Sequence, residues 1–494
     1  MSEQLHGVAT TRPKPSLESI PTELKLKIAS HLDPRLPNHL NWSYVARTEY
    51  EGRRSAVIAL SQVSRSWAAV LENFRWQEII VTPRATTELF DFVRTTLPGI
   101  ARFIKKITFE NWAHDWDTWC DPNGAGEVPD TKELAQIERL TKLPAAPSTM
   151  SDAFRLLRAR NALVGKVIAT CTRANSIEII GSLRMDYLES YDGAISEQLV
   201  ALKNRAEIAL RHAGKRFSTV RLVIDDTSLT DDDQDFGDFN YLGCFRKVQN
   251  LTLETNDVER ADEYLMHNEN LLDLAETLLY LPSLHTLKLV RSEWLIDLLE
   301  EAALPEKVTH LILEEMYIAA PYLAAILADW PADISHLTLV DVDSHRQTSE
   351  LDAPFHLPDL KYLSIASSAP PSLLGLFRAS PLSHVELCVD PAPYQPYIKP
   401  DRVVRFAERH KETLTSLKIH DCVFGGHEKA GAIEAWSARH PKITVQIMPP
   451  PPVPFLLINP EDILWLEVDD EAPAGSVTHG GPSWLADEVE RFEL

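Results

Sequence analysis

The chain reads as an α/β protein in which a short all-α segment precedes a solenoid of strand and helix units. Three observations lead there. Apolar residues at helical spacing open behind a proline near the N-terminus, a short strand motif recurs along most of the chain, and helix-like stretches fall between its copies. The motif is an apolar residue, two others, an apolar residue, one other and an apolar residue. Clear copies occupy 248–253, 284–289, 308–313, 334–339, 360–365, 382–387 and 414–419, with fainter ones around Ile107, Ile177, Val220 and Val445. The middle apolar residues Leu287, Leu311, Leu337, Leu363 and Val385 follow one another by about 22 to 26 residues, a repeat period.

Helices are expected between the copies at 271–281, 294–303, 321–330, 372–379, 403–410 and 432–438. A parallel strand needs a crossover to reach its neighbour, so such units stack with strands on the concave side and helices on the convex side. A doubly wound sheet is the alternative, but its strands would be apolar on both faces. Here Lys288, Thr338, Ser364, Glu386 and Lys418 stand between paired aliphatics, which predicts strands that are wet on one side. The units resemble leucine-rich repeats in degenerate form. That family places Asn or Cys three residues after the last strand aliphatic. Only Asn256 and Cys422 match, while Ser292, Met316, Val342, Ser368 and Asp390 stand there in other copies, so irregular turns are expected.

In the N-terminal segment Leu17, Ile20, Leu24, Ile28 and Leu32 share a helical face, with Pro21 as the helix opener, Ser19 as a candidate cap and Glu23 at the positive end of the helix dipole. A second block, 59–70, runs Ala-Leu-Ser-Gln-Val-Ser-Arg-Ser-Trp-Ala-Ala-Val, and 74–79 follows with Phe-Arg-Trp-Gln-Glu-Ile. Together the blocks resemble an F-box, with Ser64 in place of the usual cysteine and a loop insertion near 34–54. The resemblance covers 16–81 and implies binding to the Skp adaptor of a cullin-type ubiquitin ligase through Leu17, Ile20, Pro21, Leu24, Ile28, Leu32, Val63 and Trp67. With the repeats it resembles the F-box/leucine-rich-repeat proteins of fungi. It implies a substrate-recognition subunit that makes no bond itself, or alternatively an interaction scaffold without ubiquitin transfer.

Composition narrows the partners. Of 494 residues, 49 are Lys or Arg and 72 are Asp or Glu, a formal charge of −23 that disfavours nucleic acid and anionic membranes. A protein substrate is expected instead. Five scattered cysteines suit a reducing compartment, and neither a leader-like segment nor a bilayer-length apolar run is read, so a cytoplasmic or nuclear location is expected. No phosphate loop, nucleophile elbow, H-E-x-x-H or paired-cysteine motif occurs, which argues for neither an enzyme nor a cofactor, and no metal is expected. His114, Asp115, Asp117 and Cys120 match no metal spacing, and in 230–238 Phe236 and Leu242 stand where a calcium loop needs glycine and glutamate.

The expected organisation is a disordered 1–15, the helical segment 16–81, a solenoid over 82–448 with a long loop insertion near 110–150, and a Pro-rich linker with an acidic tail over 449–494. The position before each middle aliphatic points away from the core. It reads Thr286, His310, His336, Tyr362, His384 and Ser416 in successive units, so His310, His336, Tyr362 and His384 form a candidate substrate-binding row.

Overall fold

The structure, a computed structural model, describes residues 17, 20–32, 44–81, 86–110, 131–143, 152–180, 205–224, 239–255, 278, 280–291, 307–317, 323, 334–343, 357–366, 373–388, 399–420 and 431–448. The chain forms two compact units, Met1–Pro451 and Pro452–Leu494. The second, with the expected acidic tail, lies outside the described residues, as do 1–16, the aromatic stretch 111–120 and the acidic stretch 230–238.

Twelve parallel strands form one sheet: β1 (Glu78–Val81), β2 (Lys106–Glu110), β3 (Ser176–Ile180), β4 (Thr219–Ile224), β5 (Asn250–Thr255), β6 (Thr286–Val290), β7 (His310–Tyr317), β8 (His336–Asp343), β9 (Tyr362–Ala366), β10 (His384–Cys388), β11 (Ser416–His420) and β12 (Thr444–Met448). Their spatial order is their order in the chain. A doubly wound sheet reverses order at a switch point, so that alternative is excluded and each unit adds one strand beside the last, as in a solenoid. Every motif copy, clear or faint, contains a strand. β1 was not expected, because its residues fell in the closing part of the N-terminal resemblance; Ile79 and Val81 alternate inward and pair in register with Ile107 and Phe109.

The motif explains the packing. Its middle and last aliphatics, such as Leu287 and Leu289 or Leu337 and Leu339, point to one face and are fully buried. Its first apolar residue, such as Leu284, Val308, Ile334 or Leu360, is buried just ahead of the strand. At ~1.5–3 kcal/mol for each buried aliphatic, this continuous seam holds the sheet together. Register is set by the backbone. The Thr309 carbonyl accepts from both Ser335 N–H (3.0 Å) and His336 N–H (3.1 Å), and the Ser335 carbonyl accepts from Lys361 N–H (2.9 Å) and Tyr362 N–H (3.0 Å).

Helices cover the aliphatic face. Pro400–Arg409 begins with a proline in its first turn and buries Val403, Phe406 and Ala407 at helical spacing. Asp152–Thr170 adds Leu163, Val164 and Val167 to the same core. Thr131–Thr141 buries Leu134 and Ile137 there, so the expected loop over 110–150 contains a packed helix. Of the helices expected at 271–281 and 321–330, only Leu278 and Leu323 of the helical residues are described, and both are buried; 294–303 lies outside the described residues. Gly214 is required by a close approach, since a Cβ there would overlap the Cys244 carbonyl oxygen.

β7 and β8 are longer than most of the other strands. Met316 and Val342, which stand where leucine-rich repeats place a polar turn residue, are apolar, pair with each other and are fully buried, so both strands run on to eight residues. Glu315, between two ladder pairs, takes a φ of 54°.

Ahead of the sheet stand α1 (Thr22–His31), α2 (Tyr44–Val63) and α3 (Arg65–Arg75). Ala29, Val57, Trp67 and Leu71 form a separate small core, with α3 between the other two helices. Ser64 caps α3, its hydroxyl accepting from Trp67 N–H at 3.4 Å. The insertion expected near 34–54 is partly helical, since α2 begins at Tyr44; 33–43 lie outside the described residues. Pro21 sits at the cap position, one residue earlier than a first-turn proline, and Ser19 lies outside the described residues.

Candidate functional site

The sheet face opposite the buried aliphatics carries the side chains that alternate with them. From β1 to β7 it is a ladder of opposite charges. Arg54 on α2 reaches Glu78 (3.3 Å), Glu78 reaches Lys106 (2.7 Å), and Lys106 reaches Glu178 (2.5 Å). Arg221 then bridges Glu178 and Glu254, and Arg291 bridges Glu254 (2.6 Å) and Glu315 (3.2 Å). Lys288 pairs with Glu314 beside this chain. Glu178 is 3% exposed, Glu254 6% and Lys288 4%, so the expectation that Lys288 marks a wet strand is corrected. Parallel register brings residues of alternating sign side by side. Glu178, Glu254 and Lys288 are desolvated against their opposites, while the Arg54, Arg221 and Arg291 guanidinia and Glu315 keep contact with solvent. Burial alone would raise the Glu178 carboxyl, but Lys106 and Arg221 outweigh it and hold it below the ordinary carboxylate range. For Lys288 burial wins, and its ammonium is depressed despite Glu314.

From β7 to β11 the same face changes. His310, His336, Tyr362 and His384 are consecutive register partners. The rings of His310 and His336 stack at 3.9 Å with 19° between planes, and His336–Tyr362 (5.4 Å) and Tyr362–His384 (6.5 Å) continue the stack. The structure therefore brings the four candidate residues into one row, half-buried at His310 and exposed at His384. Each histidine follows a hydroxyl residue that bonds its Nδ1: Thr309 at 2.8 Å, Ser335 at 2.8 Å and Ser383 at 2.9 Å. Tyr362 donates its hydroxyl to Glu386 (2.9 Å), and His420 stands 3.7 Å from the other oxygen of Glu386. From the sequence Glu386 reads only as the mark of a strand wet on one side, and His420 is not read at all. They lie two and four positions along neighbouring strands, a relation that only the register reveals. Burial pushes His310 down to about 4, with the neighbouring imidazoles of His336 and His285 adding to the effect.

The N-terminal helices present a second surface. Of the residues proposed for adaptor contact, Leu17, Pro21, Leu24, Ile28 and Val63 are exposed, Ile20 and Leu32 are half-buried against the small core, and Trp67 is 1% exposed. Trp67 is thus internal: its ring fills the core and its Nε1 donates to the Leu17 carbonyl (3.2 Å). The face α1 turns inward is Lys25 and Ala29, not the apolar stripe. Lys25 is buried with its ammonium on the Ser66 hydroxyl (2.8 Å) and near the Trp67 ring. Leu26 and Ile58 extend the exposed apolar set beyond the residues read from sequence.

Among the described residues no group of three or more His, Cys, Asp and Glu could hold a metal ion, and no helix is long and apolar enough to cross a membrane. No family model matches the chain, and no curated protein matches it.

Proposed function

We propose that the chain is the substrate-recognition subunit of a Skp–cullin ubiquitin ligase, with an F-box in its N-terminal helices and a substrate surface on its leucine-rich-repeat sheet. One observation carries most of this reading. Leu17, Leu24, Leu26, Ile28, Ile58 and Val63 are six of the nine exposed large hydrophobic side chains among the described residues. Such residues left outside a completed small core are what a helical docking module needs, because clustered apolar anchors supply most of an interface's energy. The contribution of the sheet would be proximity, holding a substrate lysine near the charged enzyme of the assembly.

Affinity purification of the full chain from cells, compared with Leu24→Arg, tests the reading. Wild type is expected to bring down a Skp-type adaptor together with a cullin. Leu24→Arg is expected to lose both while its circular dichroism is unchanged, since the charge would be desolvated at the interface. Adaptor retained by the variant contradicts the assignment of this surface, and adaptor without cullin supports the scaffold in its place.

A further inference from the structure

The tautomers of the imidazole row follow from its hydrogen bonds. Ser335 Oγ lies 3.2 Å from the Thr309 carbonyl as well as 2.8 Å from His336 Nδ1. A serine hydroxyl has one proton, and a carbonyl can only accept. If that proton goes to the carbonyl, the hydroxyl oxygen accepts from Nδ1–H and both contacts are hydrogen bonds. If it goes to Nδ1, two oxygens face each other with no proton between them. The first arrangement makes two bonds and the second one, so the His336 proton resides on Nδ1. Ser383 repeats the pattern, 3.1 Å from the Lys361 carbonyl and 2.9 Å from His384 Nδ1. Nε2 of both rings is then a bare lone pair, and among the described residues no hydrogen bond reaches it. Between them Tyr362 uses its only proton on Glu386. The row is a strip of acceptors ending at a carboxylate.

On the reading of this face as a substrate surface, we propose that it takes a basic segment, with an Arg or Lys side chain donating to Nε2 of His336 and His384, and rejects phosphorylated ones. A phosphate brings acceptors to acceptors. It would be bound only if the rings charged, and burial, with His384 and Lys361 adding to it, holds His336 below its ordinary value. Charged groups around the row are Glu386, which would help a cation, and Lys361 and Lys418, which are exposed and screened by solvent. His285, His310 and His420 complete the titratable set. Stacked parallel rings send their lone pairs side by side rather than to one point, which suits a chain of donors better than a single metal ion.

The test uses the full chain labelled with ¹⁵N-histidine and two probes, the capped pentapeptides Gly-Arg-Gly-Arg-Gly and Gly-phosphoSer-Gly-phosphoSer-Gly. At pH 7 the free protein is expected to show the Nδ1–H tautomer at His336 and His384. The arginine peptide is expected to shift both Nε2 resonances, and the double variant His336→Phe with His384→Phe should weaken it at least about tenfold, as for loss of a hydrogen bond to a charged donor. An Nε2–H tautomer in the wild type overturns the proposal without recourse to any variant. So does a phosphopeptide that binds as tightly, an arginine peptide bound equally by the double variant, or neither peptide shifting the rings. Adaptor co-purification reads a different surface, so the two ideas fail separately.

Discussion

Along the sheet face opposite the buried aliphatics, strands β1 to β7 hold a ladder of paired charges and strands β7 to β11 a row of stacked rings. Between β1 and β7 each buried carboxylate meets two cations, and the ladder Glu78, Lys106, Glu178, Arg221, Glu254 is closed on itself. Between β7 and β11 the row that continues Glu78, Lys106, Ser176, Thr219, Asn250 and Thr286 carries His310, His336, Tyr362 and His384, and among the described residues no hydrogen bond reaches Nε2 of His336 or His384. Polar side chains on this face thus divide into those that pair with one another and those that keep an unpaired outward atom among the described residues. Burial with mutual pairing separates the two classes, and polarity alone does not.

The largest effect should come from breaking the closed half. Glu178→Ala leaves Lys106 and Arg221 with one buried partner fewer and is expected to cost about 3–5 kcal/mol in denaturant unfolding, whereas Ser364→Ala in the open half should cost under about 1 kcal/mol. Equal costs would erase the distinction.

A second, smaller effect is in pH. Folding favours the neutral His310, with its value at about 4 against an ordinary 6.5. Its contribution is complete above pH 6.5 and is lost as pH falls towards 4. Glu178 and Glu386 are held below the usual carboxylate value, so their contributions are complete above it and are lost only at more acid pH. The melting temperature should therefore fall between pH 6.5 and 4, and His310→Phe should flatten that fall by on the order of 1 kcal/mol, a full shift being discounted for partial exposure. An unchanged slope in the variant would place His310 in open solvent.

Much of the fold was legible because the aliphatic pattern of each strand is local. Leu284, Leu287 and Leu289 are six contiguous residues' worth of signal, and each later copy repeats it. The imidazole row was legible for the same reason, since one position per repeat aligns when the strands do. The charge ladder was not. Lys106 and Glu178 lie far apart in sequence, and whether Lys288 is wet or buried depends on what surrounds it, which spacing does not encode. The direction of α1 was hidden too, because an apolar stripe ordinarily marks the buried face, and here the inward positions are Lys25 and Ala29. Likewise the role of Trp67 as core could be read only once α1 was seen to pass over it.

Amide hydrogen exchange of the full chain, with and without a purified Skp-type adaptor, tests the central claim most directly. The expected result is new protection at Leu17, along α1 and at the end of α2 near Val63, with exchange over β8–β11 unchanged because the proposed adaptor surface does not include that half. Protection confined to the sheet, or none along α1, would contradict it.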